Sequence, residues 1–139
     1  MGIDQAKKCV LLSVKTAYAE LLVEGAKRIE LRRRFPIDLS PGTKIVVYAS
    51  GEAKRIIGEV LISRITRLSI SELWKFAAID AMISWPNFEK YFAGTEYGYA
   101  IEVERPQRYR KSISLSQFYA QDSGVRPPQS YCYLPNSYL

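Results

Sequence analysis

The apolar positions of the chain come in blocks whose period changes along its length. Residues Cys9 to Val14 read CVLLSV, a short apolar run that predicts a buried strand. Thr16 stands as N-cap to TAYAELLVEG, in which Ala17, Leu21 and Leu22 share one helical face and Gly25 takes the C-cap position. In KRIELRRRFP, Ile29 and Leu31 alternate with Arg28, Glu30 and Arg32, the period of a half-exposed strand stopped before Pro36. Ser40, Pro41 and Gly42 make a turn, and Thr43 to Ala49 (TKIVVYA) predicts a central strand rich in β-branched residues. After a loop around Gly51, IIGEVLISRITRL predicts a long strand in which Gly58 hosts a bulge.

The period then changes. Between Ser69 and Ser84, Leu73, Phe76, Ala77 and Ile83 fall at helical spacing, with Ser71 as cap and an end before Pro86. NFEKYFAG predicts a further helical turn closed by Gly94, and YGYAIEVERP a strand with Ala100 or Ile101 facing inward. SLSQFYAQ reads as a short helix, and VRPPQSYCYL as an extended tail docked on the rest. This order predicts one α+β domain over residues 1–139, a small mixed β-barrel with flanking helices and no internal repeat.

Composition narrows the functional classes. A chain of 139 residues, 47% hydrophobic, builds one sizeable core without metals or disulfides. No apolar run approaches the roughly 20 residues of a membrane span, and the start MGIDQAKK lacks signal-peptide features, so the expectation is a cytoplasmic protein with no membrane contact. Cys9 and Cys132 read as reduced structural thiols, too few for a disulfide framework or a four-ligand zinc site. Histidine is absent, so catalysis would fall to Lys, Glu, Asp, Tyr, Ser, Thr or Cys. No cofactor is called for, and scattered carboxylates such as Glu30 and Glu59 would suit magnesium better than zinc. The net charge of +6 points to polyanionic partners, which release counterions when neutralised.

The densest chemistry lies in Gly25-Ala-Lys-Arg-Ile-Glu-Leu-Arg32, continued by Arg33 and Arg34. It resembles the G-x-K-x-x-E-x-R signature of the ASCH domain, a family of the PUA-like group. LLSVKTAYAELLVEG, VVYAS with IIGEV, and PPQSYCYL resemble further segments of that family. The resemblance implies a barrel akin to RNA-binding PUA domains, with a cleft between barrel and helices lined by Lys27, Glu30 and Arg32. Chemically, Arg32 offers a planar fork for phosphate, Lys27 a point charge or nucleophile, and Glu30 a base or an acceptor for a base edge. The plain alternative is a solvated strand face with one Glu/Arg pair.

Strand parity puts Lys27 with Ile29 and Leu31, opposite Glu30 and Arg32, so Lys27 must precede the regular strand and lean over the barrel mouth. Partial burial there would lower its pKa and make it a usable base. Glu59 is a second carboxylate, able to act with Lys27 if it points inward; Tyr48 and Ser50 are candidates for stacking and hydrogen bonding at the cleft, or plain strand-end residues. Tyr97 and Tyr99 alternate in the pattern of base-stacking sheets, though such tyrosines more often cover a core edge. Trp74 and Phe76 read as core, Trp85 as wall or plug of the cleft, and Arg105, Arg108, Arg110 and Lys111 as a second basic patch without a nearby acid.

Two functions follow. The first is an RNA- or nucleotide-binding module with Lys27, Arg32, Tyr48, Ser50, Arg33 and Arg34 as ligand contacts. The second is a hydrolase with Lys27, Glu30 and Glu59 as catalytic groups, because the resemblance implies relatives that hydrolyse an acylated cytidine through Lys, Thr and Glu, and others akin to metal-dependent ribonucleases. The residue three after Lys27 is Glu30, not threonine, which leaves that hydroxyl role to Thr16 or Ser50. A regulatory domain meeting a protein partner is a third reading, with exposed aromatics in the tail as its sign.

Overall fold

The computed structural model describes residues 9–119 and 126–135. The MGIDQAKK start, the end of SLSQFYAQ and the first residue of the tail lie outside these residues. The elements run β1 (Cys9–Lys15), α1 (Thr16–Glu24), β2 (Ile29–Arg32), β3 (Lys44–Ser50), β4 (Arg55–Ser69), α2 (Ile70–Ala81), α3 (Trp85–Phe92), β5 (Tyr97–Ile113), α4 (Leu115–Phe118) and β6 (Tyr131–Leu134). The strands form one six-stranded sheet in the order β2-β5-β4-β3-β1-β6, curled into a half-barrel. Only β1 and β3 run parallel, since α1 crosses between them; the other neighbours are antiparallel.

The curl gives the sheet a concave face and an outer face, each with its own core. Val10, Leu12, Val14, Ile45, Val47 and Ile101 pack on one side with Ala19, Leu22 and Val23 of α1. Leu11, Val46, Tyr48 and Ile56 alternate to the opposite side, beneath Leu115 of α4. A third cluster forms where Ile29, Leu31 and Ala100 meet Leu73, Ala77, Phe88 and Phe92 of α2 and α3. Gly98 is required there, because a Cβ would lie 2.6 Å from both Leu73 Cδ2 and Phe92 Cε1. Gly58 allows the equivalent approach on the α1 side, where a Cβ would meet the Gln107 carbonyl and Val23, and the β4–β5 register shifts there as a bulge requires.

Several boundaries differ from the sequence expectations for identifiable reasons. Lys15, not Thr16, is the N-cap of α1; the Thr16 hydroxyl instead donates to the Ser50 carbonyl at 2.8 Å and accepts from Ala53 N–H at 3.1 Å. Ser69, not Ser71, caps α2, because Glu72 lies three residues on and closes a Ser-x-x-Glu pair with it. Helix α2 ends at Ala81, ahead of Pro86 as expected, and Pro86 sits in the first turn of α3, which starts at Trp85, earlier than NFEKYFAG, and is capped by Ser84. Strand β5 runs past Pro106 to Ile113: β2 pairs only with 99–102, and the missing N–H falls where the β4–β5 register slips, beside Arg105 at φ 49°. Among the described residues no helix is long and apolar enough to cross a membrane.

Candidate functional site

Because β2 and β6 are the two edges of the sheet, the curl brings them toward each other across an open seam. Gly25, left-handed at φ 88°, ends α1 and turns the chain so that Lys27 comes just before β2, as parity demanded. Glu30 and Arg32 then project from β2 onto the concave face, in register with Ile101 and Tyr99 of β5.

The three side chains form one buried network. Lys27 is 3% exposed, Glu30 5% and Arg32 9%. Lys27 Nζ donates to the Ala81 carbonyl at the end of α2 at 2.6 Å, stands 3.7 Å from Glu30 Oε1 and lies 4.9 Å from the Tyr18 ring centre. Arg32 Nε and Nη2 both reach Glu30 Oε2, at 2.8 and 2.7 Å. Nη2 also donates to the Ser13 carbonyl of β1 at 2.7 Å, and Nη1 to Ser130 Oγ, just before β6, at 3.3 Å. Ser13 is tied to the same tail through N–H to Ser130 O and Oγ to Pro128 O, at 2.9 and 2.7 Å. Arg32 is thus the clasp of the half-barrel, joining β2 to the opposite edge. The expectation of a solvated strand face does not hold for these residues.

Burial pushes the Lys27 ammonium below its ordinary pKa, desolvation outweighing the attraction of Glu30. The folded protein therefore gives up this proton before the unfolded chain does, and the unfolded lysine holds it up to about 10.4. The penalty for keeping the charge buried is present below the lowered value and fades as pH climbs through it. Lys27→Met keeps length and drops charge, so unfolding in urea is expected to show wild type gaining on this variant as pH rises through the window that ends at about pH 10. An unchanging difference over that window contradicts the assignment.

The other sequence candidates are placed elsewhere. Glu59 accepts from Tyr109 OH at 2.8 Å and stands 3.7 Å from Lys44 Nζ, with no hydrogen bond or ion pair to Lys27. Burial and this carboxylate push the Tyr109 phenol up, and burial pushes the neighbouring Cys9 thiol up to about 11. Tyr48 is buried against Val46 and Leu115, with no open ring face for stacking. Ser50 offers its carbonyl to Thr16 at the end of β3. Arg33 and Arg34 are exposed beyond Arg32, Arg33 lying 4.8 Å from the Tyr91 ring centre. The supposed acid-free basic patch is corrected at Arg108, which pairs with both Glu20 and Glu24 of α1. Phe76, expected in the core, is instead 44% exposed on α2, and Trp85, 47% exposed, packs edge-on against Trp74, which with Ile79, Met82 and Ile83 lines an apolar groove of about 500 Å³.

Ser13 and Ser130 do not stand out in the sequence. A serine inside PPQSYCYL carries no pattern of its own, and the Ser13 contribution to Arg32 is a backbone carbonyl, which no side-chain motif reports.

The ASCH domain family matches residues 12–107 of the chain. An ASCH domain-containing ribonuclease from Zymomonas mobilis is 30% identical over 128 residues, spanning 92% of this chain and 85% of that protein. The crystal structure of an ASCH protein from Zymomonas mobilis superposes with a TM-score of 0.87 at 29% identity, covering 94% of this chain and 90% of that one. Its tyrosine-to-phenylalanine and serine-to-alanine mutants superpose at 0.87 and 0.86 with 27% identity, covering 95% and 96% of this chain and 95% and 94% of theirs. The N-terminal domain of McrB from Staphylothermus marinus shares the fold alone, at a TM-score of 0.51 and 15% identity over 83% of this chain and 81% of that one. With the family match spanning residues 12–107 and Lys27, Glu30 and Arg32 of the signature joined in one buried network, this chain belongs to the ASCH domain family.

Proposed function

We propose that the chain binds single-stranded RNA over the seam, with Arg32 as the fixed cation and Arg33 and Arg34 taking phosphates beside it. The carrying observation is the state of the Arg32 fork. Glu30 and the Ser13 carbonyl hold it in place through Nε and Nη2, while Nη1 makes only the 3.3 Å contact to Ser130 Oγ, the longest of its bonds. A phosphate oxygen replacing that hydroxyl gains a charge-assisted bond to a cation already oriented. The net charge of +6 and the ribonuclease name of the Zymomonas mobilis relative support RNA as the polyanion.

A titration with a short single-stranded RNA at two salt concentrations tests this reading. Binding is expected to weaken with salt, and Arg33→Ala/Arg34→Ala to lower both the affinity and the salt slope, the latter by about 0.7 for each phosphate no longer neutralised. Absence of binding at both salt concentrations overturns it.

The relative's name favours cleavage as a second reading. Attack of a ribose 2′-oxygen on phosphorus breaks the bond to the 5′-oxygen, so one group must take the 2′-hydroxyl proton and another must give a proton to the departing 5′-oxygen; burial, which lowers the proton affinity of Lys27, and the neighbouring Glu30 support this pair for those two roles. This reading does not draw on Glu59, which accepts from Tyr109 OH and stands apart from Lys27. Cleavage products that vanish in Lys27→Met while RNA is still bound support this reading; intact RNA with wild-type protein leaves the binding module.

A further inference from the structure

Beyond Arg32, the concave face of β5 ends in two tyrosines that do different things. Tyr99 lies in register between Arg32 of β2 and Arg67 of β4 and packs against the concave core. Tyr97, two residues further out on the same face, is 44% exposed. The Arg67 side chain comes back over it, with the guanidinium carbon 4.2 Å from the ring centre. Tyr99 is only partly buried, packed on that core as a tyrosine covering a core edge is. Tyr97 instead carries the Arg67 guanidinium over one face of its ring and keeps its 44% exposure to solvent, at the end of the row that carries Arg32.

We infer that Tyr97 and Arg67 form a stacking platform for an unpaired base of the RNA strand whose phosphate Arg32 receives. The inference rests on the proposed RNA reading and adds the class of nucleic acid it selects. An exposed ring accepts any base face, so the platform is tolerant of sequence. The bases of a duplex are already stacked and paired, so a duplex offers it nothing. Arg67 has two uses, since its contact with the ring pre-orders a cation that also meets the backbone phosphate of the stacked nucleotide. Tyr97 stands about 7 Å along β5 from Tyr99, the rise of two strand residues, so one short strand reaches both the platform and Arg32.

The test compares binding of a short single-stranded RNA and of a duplex of the same length by wild type, Tyr97→Ala, Tyr97→Phe and Arg67→Ala, with thermal unfolding as the folding control. Tyr97→Ala is expected to weaken the single strand on the order of tenfold or more, to leave the salt slope unchanged and to leave the duplex unaffected. Tyr97→Phe is expected to bind as wild type, because the ring and not the hydroxyl does the stacking. Arg67→Ala is expected to weaken binding and reduce the salt slope. Wild-type affinity in Tyr97→Ala, an equal loss on the duplex, or loss in Tyr97→Phe overturns the platform. If Tyr97→Ala binds normally while Arg33→Ala/Arg34→Ala does not, the platform fails and the RNA reading stands; if wild type binds neither RNA, both fall.

Discussion

Glu30→Ala is expected to lower the unfolding free energy by about 3–5 kcal/mol. The carboxylate is 5% exposed and stands between two buried cations, 3.7 Å from Lys27 Nζ and 2.7 Å from Arg32 Nη2. Its removal leaves both charges out of water with no counterion and with their mutual repulsion uncompensated. Against a total stability of about 5–15 kcal/mol for a typical domain, that loss moves the urea midpoint by a large fraction. Glu30→Gln, which keeps an acceptor for the guanidinium, is expected to lose less than the alanine variant. A wild-type midpoint for Glu30→Ala in urea unfolding contradicts the buried network.

Arg32→Ala is expected to act on both stability and binding. It deletes the bonds to Glu30 and the two that cross the seam to Ser13 O and Ser130 Oγ, leaving the Phe35–Tyr131 ring contact among the side-chain links between the two edges. Breaking a buried pair of this kind costs about 3–5 kcal/mol. A charged hydrogen bond to phosphate contributes about 1.5–3 kcal/mol, so RNA affinity measured well below the unfolding transition is expected to fall on the order of tenfold or more. Arg32→Lys separates the two roles. It restores the charge but cannot span Glu30, Ser13 and Ser130 at once, so it is expected to recover part of the stability and little of the seam geometry. Full recovery of urea midpoint and RNA affinity by lysine would show that charge alone matters there.

The α+β class and the order from β1 to β5 were legible as local patterns, whereas β6 read only as a docked tail and the Lys27, Glu30 and Arg32 group was singled out by its resemblance to the family signature. The period of two across Ile29 to Arg32 even required Lys27 to lie ahead of β2, as it does. Burial of the group was not legible. An alternating strand normally wets its polar side, and only the meeting of β2 with the β1 and β6 edge converts that side into an interior. Glu59 shows the same limit. Its chemistry resembles that of Glu30, but Tyr109, fifty residues away in sequence, claims its oxygen. Likewise Arg108 looked free of acids because Glu20 and Glu24 approach it only when α1 packs on the sheet. Tyr97 and Tyr99 looked alike in the sequence, and their different burial comes from the neighbouring strands.

Whether RNA lies over the seam joined by Arg32 is decided by mapping backbone amide shifts of the labelled protein during titration with a short single-stranded RNA. The largest changes are expected on Arg32 to Arg34, on Tyr97 to Tyr99, on Arg67 and on Ser130. Changes confined to the α2–α3 groove around Ile79 and Met82, or no change at saturating RNA, would contradict it.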